Sequence, residues 1–127
     1  IGIEIVEEAV TRAAENAARN GIENAYFYCG DASNAEKLLE RAETAHGDVS
    51  GATVIMDPPR KGSTPELITY LAKRNFARIV YVSCNPDTLA RDVAILKPLG
   101  YETDKVQPVD MFPHTHHVEN VVKLEKR

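Results

Sequence analysis

This 127-residue sequence predicts an α/β fold: a doubly wound, mostly parallel sheet with an antiparallel C-terminal strand. Three observations predict it. Short apolar runs alternate with stretches whose apolar residues recur at helical spacing, the pattern of strands joined by helical crossovers. Cap-and-proline pairs, Thr64-Pro65 and Asn85-Pro86, open two of the helical stretches. The last two apolar runs have no helix between them, which implies an antiparallel pair at one edge.

Residues 1–4 form the tail of a buried strand. From residue 5 to 20, Val6, Ala9, Val10, Ala13, Ala14 and Ala17 repeat at helical spacing, and Gly21 supplies a stop. Residues 25–29 make a short strand ending at Gly30-Asp31. Ser33 and Glu36 have the spacing of a capping box for a helix to about residue 42. A Gly/Asp/Ser loop over 47–51 leads to residues 52–56, a continuous apolar run suited to a central parallel strand. A helix follows from Thr64-Pro65, then a strand over 78–83, then a helix from Asn85-Pro86 to near Pro98. Residues 101–109 and 118–124 read as the final two strands. The seven glycines form no G-x-G pattern, so no Gly-rich phosphate loop is present.

Composition narrows the function classes. No apolar stretch approaches the ~20 residues that span a bilayer, and no membrane partner is expected. Two cysteines, Cys29 and Cys84, do not make a disulfide framework, so a reducing cytoplasm is the expected compartment. A formal charge of −4 lacks the basic excess of a dedicated nucleic-acid-binding module.

In doubly wound sheets, ligands bind beyond the carboxyl ends of the strands. Glu4, Asp31, Asp57 and Cys84 fall at those ends, and Glu119 begins the final strand, which reaches the same edge if it is antiparallel. Each has a plainer alternative. Glu4 and Asp31 can be strand-terminating or helix-entry carboxylates, and an acidic residue there can also bind ribose hydroxyls. Asp57-Pro58-Pro59 can be a rigid turn, because proline fixes φ and constrains its predecessor. Cys29, within an apolar run, reads as a small buried hydrophobe. Cys84 precedes a helix N-terminus, where backbone N–H groups and the helix dipole favour a thiolate. His114, His116 and His117 are too loosely spaced for a metal site, and no metal is expected.

Two separate signatures occur in order. Asp57-Pro58-Pro59-Arg60-x-Gly62 is followed, after sixteen residues, by Ile79-Val80-Tyr81-x-Ser83-Cys84-Asn85, with Thr88 three residues on. Downstream lies Val109-Asp110-x-Phe112-Pro113-His114-Thr115-x-His117-Val118-Glu119, and upstream a weaker match, Asn16-Ala17-x-x-Asn20-Gly21-x-x-Asn24. The combined pattern resembles the S-adenosylmethionine-dependent RNA uracil-5-methyltransferases over nearly the whole chain. That resemblance implies a Rossmann-like methyltransferase sheet lacking its first strand and Gly-rich loop, so that residues 1–127 form the C-terminal part of a catalytic domain.

By the resemblance, Cys84 adds to C6 of uracil and Glu119 removes the C5 proton. Glu4, Asp31 and Asp57 would lie on the side of S-adenosyl-L-methionine, whose full binding loop is absent. Arg60, Asn85, Phe112 and His117 would contact the RNA, with ribosomal RNA expected over transfer RNA. The fragment alone is expected to be inactive. The missing first strand is expected to leave a gap that closes directly or pairs with another copy, giving a homo-oligomer of the fragment. Two other classes are weighed: an N-methyltransferase using Asp57-Pro58-Pro59 without Cys84 or Glu119, and a non-catalytic RNA-binding domain.

Overall fold

The computed structural model describes residues 1–127 and divides into two compact units, 1–48 and 49–127. In the first, β1 (Gly2–Glu4) leads to α1 (Glu7–Arg19), β2 (Phe27–Cys29), a 3₁₀ turn over Ala32–Asn34 and α2 (Ala35–His46). β1 and β2 pair in parallel, with Glu4 opposite Cys29. α1 ends where expected: Asn20 caps its C-terminus and Gly21 takes φ +67°.

The start of α2 differs from the capping-box expectation. Asp31 caps the 3₁₀ turn by accepting from the Ser33 N–H at 2.7 Å, and α2 begins only after that turn. Aspartate is among the strongest capping residues, and the Ser33 N–H it accepts from is the donor that Glu36 would engage in a capping box. Cys29 is a second correction. It is exposed, with Sγ 3.6 Å from the Ile5 carbonyl oxygen, because its side of the short strand is uncovered within residues 1–48.

In the second unit, β3 (Thr53–Met56), α3 (Pro65–Lys73), β4 (Arg78–Ser83) and α4 (Pro86–Leu96) form a parallel βαβ unit running on into a helix. A 3₁₀ turn over Lys97–Leu99 leads to β5 (Tyr101–Glu102), β6 (Val106–Val109) and β7 (Glu119–Lys126). The single strand expected over 101–109 is thus divided. Thr103 interrupts it by accepting from the Lys105 N–H and donating to the Lys105 carbonyl, a local turn that competes with the ladder. The sheet order is β3-β4-β7-β5, with β6 also on β7 and every β7 pairing antiparallel.

Alternation of side chains sets the core. Ile79, Tyr81 and Ser83 pair with Leu124, Val122 and Asn120, and all six are buried on one face. Ile68, Leu71 and Ala72 of α3 and Leu89 and Leu96 of α4 are buried with them. The other face carries Ile55, which is 74 % exposed.

β3 was expected to be central; instead it pairs only with β4, and β1 only with β2, so two sheets form. Direct closure of the expected gap is absent from the hydrogen-bonding pattern. Parallel neighbours need matched registers, and β1 and β3 each keep one edge of unpaired backbone groups. No helix is long and apolar enough to cross a membrane.

Candidate active site

Cys84 occupies the single residue between a strand and a helix cap. Ser83 ends β4 by turning its hydroxyl onto the backbone of Asn85, donating to its carbonyl at 2.9 Å and accepting from its N–H at 3.1 Å. Asn85 is extended, with φ −134° and ψ 107°, and caps α4 by accepting from the Asp87 N–H at 3.0 Å. Pro86 follows at the first helical turn, where its missing N–H costs nothing. Cys84 is half-buried at this junction and makes no disulfide.

The register of β7 brings Glu119 to the same rim. Ser83 pairs with Asn120 in the antiparallel β4–β7 ladder, so Cys84 and Glu119 lie one step further along adjacent chains. Neighbouring strands are about 4.8 Å apart. On the other side of β4, Met56 pairs with Tyr81, and the exposed Asp57 therefore leaves β3 at the same carboxyl end. A thiol and two carboxylates come from three consecutive strands at one edge.

The loop after Asp57 is fastened to α4. A turn closes from the Gly62 N–H to the Pro59 carbonyl at 2.8 Å. The Arg60 carbonyl accepts from Asn85 Nδ2 and from the Thr88 hydroxyl, each at 3.2 Å. Both polar ends of Asn85 are thereby engaged within the chain, a positioning use that its substrate-side expectation did not include. The Arg60 guanidinium contacts the His117 ring. His117 lies on the loop 110–118, whose turn is made by Thr115 donating from its hydroxyl to the Phe112 carbonyl at 2.7 Å and accepting from the His117 N–H. Phe112 is 51 % exposed on that loop.

Glu4 and Asp31 sit at the carboxyl ends of the β1–β2 pair, in the first unit. Both are exposed, and both make the helix-entry contacts considered from sequence: Glu4 Oε1 accepts from the Val6 N–H at 2.9 Å, Asp31 from Ser33. No three His, Cys, Asp or Glu side chains are grouped as a metal site.

Sequence reasoning missed Arg91 and Asp92. Asp92 is 0 % exposed, although charged residues are rarely buried without partners. Its signal is positional: three residues after Leu89 and four before Leu96, it falls on the apolar stripe of α4.

The chain and its fold are similar to those of known proteins. The family described as tRNA (Uracil-5-)-methyltransferase matches residues 1–127. An uncharacterized RNA methyltransferase of Clostridium acetobutylicum is 45% identical over 128 residues, covering 100% of this chain and 26% of the relative. Another from Caldanaerobacter subterraneus is 49% identical over 126 residues, covering 99% of this chain and 26% of the relative. The chain thus spans about a quarter of the length of the curated relatives it matches. Among solved structures, the Pyrococcus abyssi tRNA (uracil-54, C5)-methyltransferase in complex with S-adenosyl-L-homocysteine superposes with a TM-score of 0.76 at 40% identity, over 97% of this chain and 28% of that one. A precorrin-6y C5,15-methyltransferase of Geobacter metallireducens shares the fold, with a TM-score of 0.69 at 18% identity over 98% of this chain and 66% of that one.

Proposed function

Because the chain belongs to the tRNA (uracil-5-)-methyltransferase family, we propose that it forms part of the catalytic domain of an enzyme that methylates C5 of a uridine in RNA from S-adenosylmethionine. The observation that supports this reading is the β4–β7 register: Ser83 pairs with Asn120, and Cys84 and Glu119 are the residues one step beyond that pair.

The chemistry requires that pair. C5 of uracil is a poor nucleophile until a thiolate adds to C6. The Cys84 Sγ–C6 bond forms and pushes the C5–C6 electron pair toward the C4 carbonyl as an enolate. C5 then takes the methyl group, and the neutral thioether leaves. Glu119 accepts the C5 proton, the double bond re-forms, and the Sγ–C6 bond breaks to return the thiolate. One difficult substitution becomes two easier steps, completed by a general base.

S-adenosylmethionine, when bound, supplies the electrophilic methyl group. Asp57, an exposed carboxylate at the end of β3, would hold it through ribose or amine donors, since a carboxylate offers about four acceptor sites. Glu4 and Asp31, exposed at the strand ends of the first unit, would do so by the same chemistry. Arg60 and His117 would face the RNA backbone, Phe112 would stack on an unpaired base, and the second Asn85 amide hydrogen would reach the uracil edge. A uridine drawn out of its stack suits a loop or single-stranded target. Residues 1–127 alone would be inactive, since this chain supplies no Gly-rich loop. The resemblance favours ribosomal RNA as the target, whereas the similar Pyrococcus abyssi protein is a tRNA (uracil-54, C5)-methyltransferase.

The test uses the full protein containing this chain, with S-adenosylmethionine and 5-fluorouridine RNA of both classes. Fluorine leaves no C5 proton for Glu119, so an RNA–protein adduct should accumulate on Cys84 and be absent from Cys84→Ala. Methyl transfer without an adduct would move the assignment to amine methylation. Neither transfer nor adduct on any RNA would leave a binding role.

A further inference from the structure

We propose that Asp92 is a positioning residue, holding the loop 57–63 in register with the helix that begins behind Cys84. The inference rests on the covalent reading above. Asp92 Oδ2 accepts from the Ser63 N–H at 2.8 Å and from the Tyr81 hydroxyl at 2.5 Å, while Oδ1 accepts from Arg91 Nε at 2.8 Å. Arg91 continues the array, its Nη2 donating to the carbonyls of Lys61 and Ser63, each at 3.0 Å. Asn85 and Thr88 hold the Arg60 carbonyl. One face of α4 therefore holds the loop's backbone from residue 60 to 63.

Gly62 marks how close that approach is. Its φ is +75°, and a Cβ there would stand 2.6 Å from the Arg91 guanidinium and 2.7 Å from Asp92 Oδ2. Tyr81 stays a donor throughout, since burial, then the Asp92 hydrogen bond and charge, raise its ionisation well above the usual phenol range. Stability alone does not explain a carboxylate here, because apolar replacement of buried ionic groups is often neutral or stabilising. Directed bonds do. They fix the loop that carries Asp57 at one end and Arg60 in the middle, and Arg60 touches His117, two residues before Glu119. The array thus links the nucleophile's helix, the Asp57 loop and the segment leading to the base.

The experiment measures adduct formation on 5-fluorouridine RNA at saturating RNA, together with RNA affinity, melting temperature and iodoacetamide labelling of Cys84, in the full protein. Asp92→Asn is expected to slow adduct formation about 100-fold, with RNA affinity within about twofold and Cys84 labelling unchanged. A lower melting temperature with an unchanged saturating adduct rate would make Asp92 merely structural and overturn the inference. If Asp92→Asn does not fold, Tyr81→Phe and Arg91→Lys carry the test. Each removes part of the array, since one lysine nitrogen cannot hold Asp92 and the two carbonyls from separate positions as Arg91 Nε and Nη2 do, and each is expected to slow the adduct about 10-fold. Unsubstituted rates in both variants would overturn it. No adduct in the unsubstituted protein would remove the covalent reading, and this inference with it.

Discussion

Residues 1–48 bury only Ala17, Ala35 and Ala42 among their apolar side chains, whereas residues 49–127 bury Ile68, Phe76, Ile79, Tyr81, Tyr101 and Leu124 among others. Fully burying one large apolar side chain is worth roughly 1.5–3 kcal/mol, and an alanine far less. Cys84, Asp57 and Glu119 all stand on the well-packed unit, where side chains can be held closely. Glu4 and Asp31 stand on the thin one, which exposes Ile1, Ile5, Val6 and Ile22. The contrast separates a well-packed unit that carries the proposed bond-making groups from a unit whose carboxylates sit on little more than alanine packing.

Hydrogen exchange should show the largest difference. Amides of β4 and β7, paired on both sides within a packed sheet, should exchange only through global opening; those of β1 and β2 should exchange through local opening, orders of magnitude faster. Equal protection would break the comparison. Next, Leu124→Ala should cost about 2–5 kcal/mol in urea unfolding, while Ile5→Ala, at an exposed position, should stay within about 0.5 kcal/mol.

Two glycines sharpen the contrast further. Gly21 and Gly62 both have positive φ, but a Cβ at Gly21 meets nothing within 4 Å. Gly21→Ala should cost the left-handed penalty of about 1–2 kcal/mol. Gly62→Ala should cost that plus about 1–3 kcal/mol of overpacking against Arg91 and Asp92. The smallest effect concerns acid. Hydrogen bonds from Arg78 and then Lys123 lower the Glu125 carboxyl, so its folded pKa lies below its unfolded one. That contribution is present above the ordinary carboxylate range and lost as pH falls through the folded value. Glu125→Gln should therefore be slightly less stable near neutrality and indistinguishable in strong acid.

Much of the second unit was legible in sequence. Residues 78–83 form β4 as expected, and Thr64-Pro65 and Asn85-Pro86 open α3 and α4 because cap and proline act within one turn. Placement of Glu119 at the start of β7 followed from the missing helix before it. What failed depended on long-range partners. The run 52–56 is apolar enough for a central strand, but centrality needs a second neighbour, and β3 has only β4. Cys29 looks buried by its neighbours in sequence, yet exposure is decided by what covers the strand. Asp92 was passed over because one carboxylate on an apolar stripe reads as noise until Tyr81 and Ser63 are seen to meet it.

The proposed mechanism has Cys84 and Glu119 serve successive steps of one turnover. Its most direct measurement is mass spectrometry of the full protein carrying Glu119→Gln, incubated with S-adenosylmethionine and ordinary, unfluorinated RNA. A methylated RNA adduct should be trapped on Cys84, and none should form when Cys84→Ala is added. Normal turnover by Glu119→Gln, with no trapped species, would contradict it.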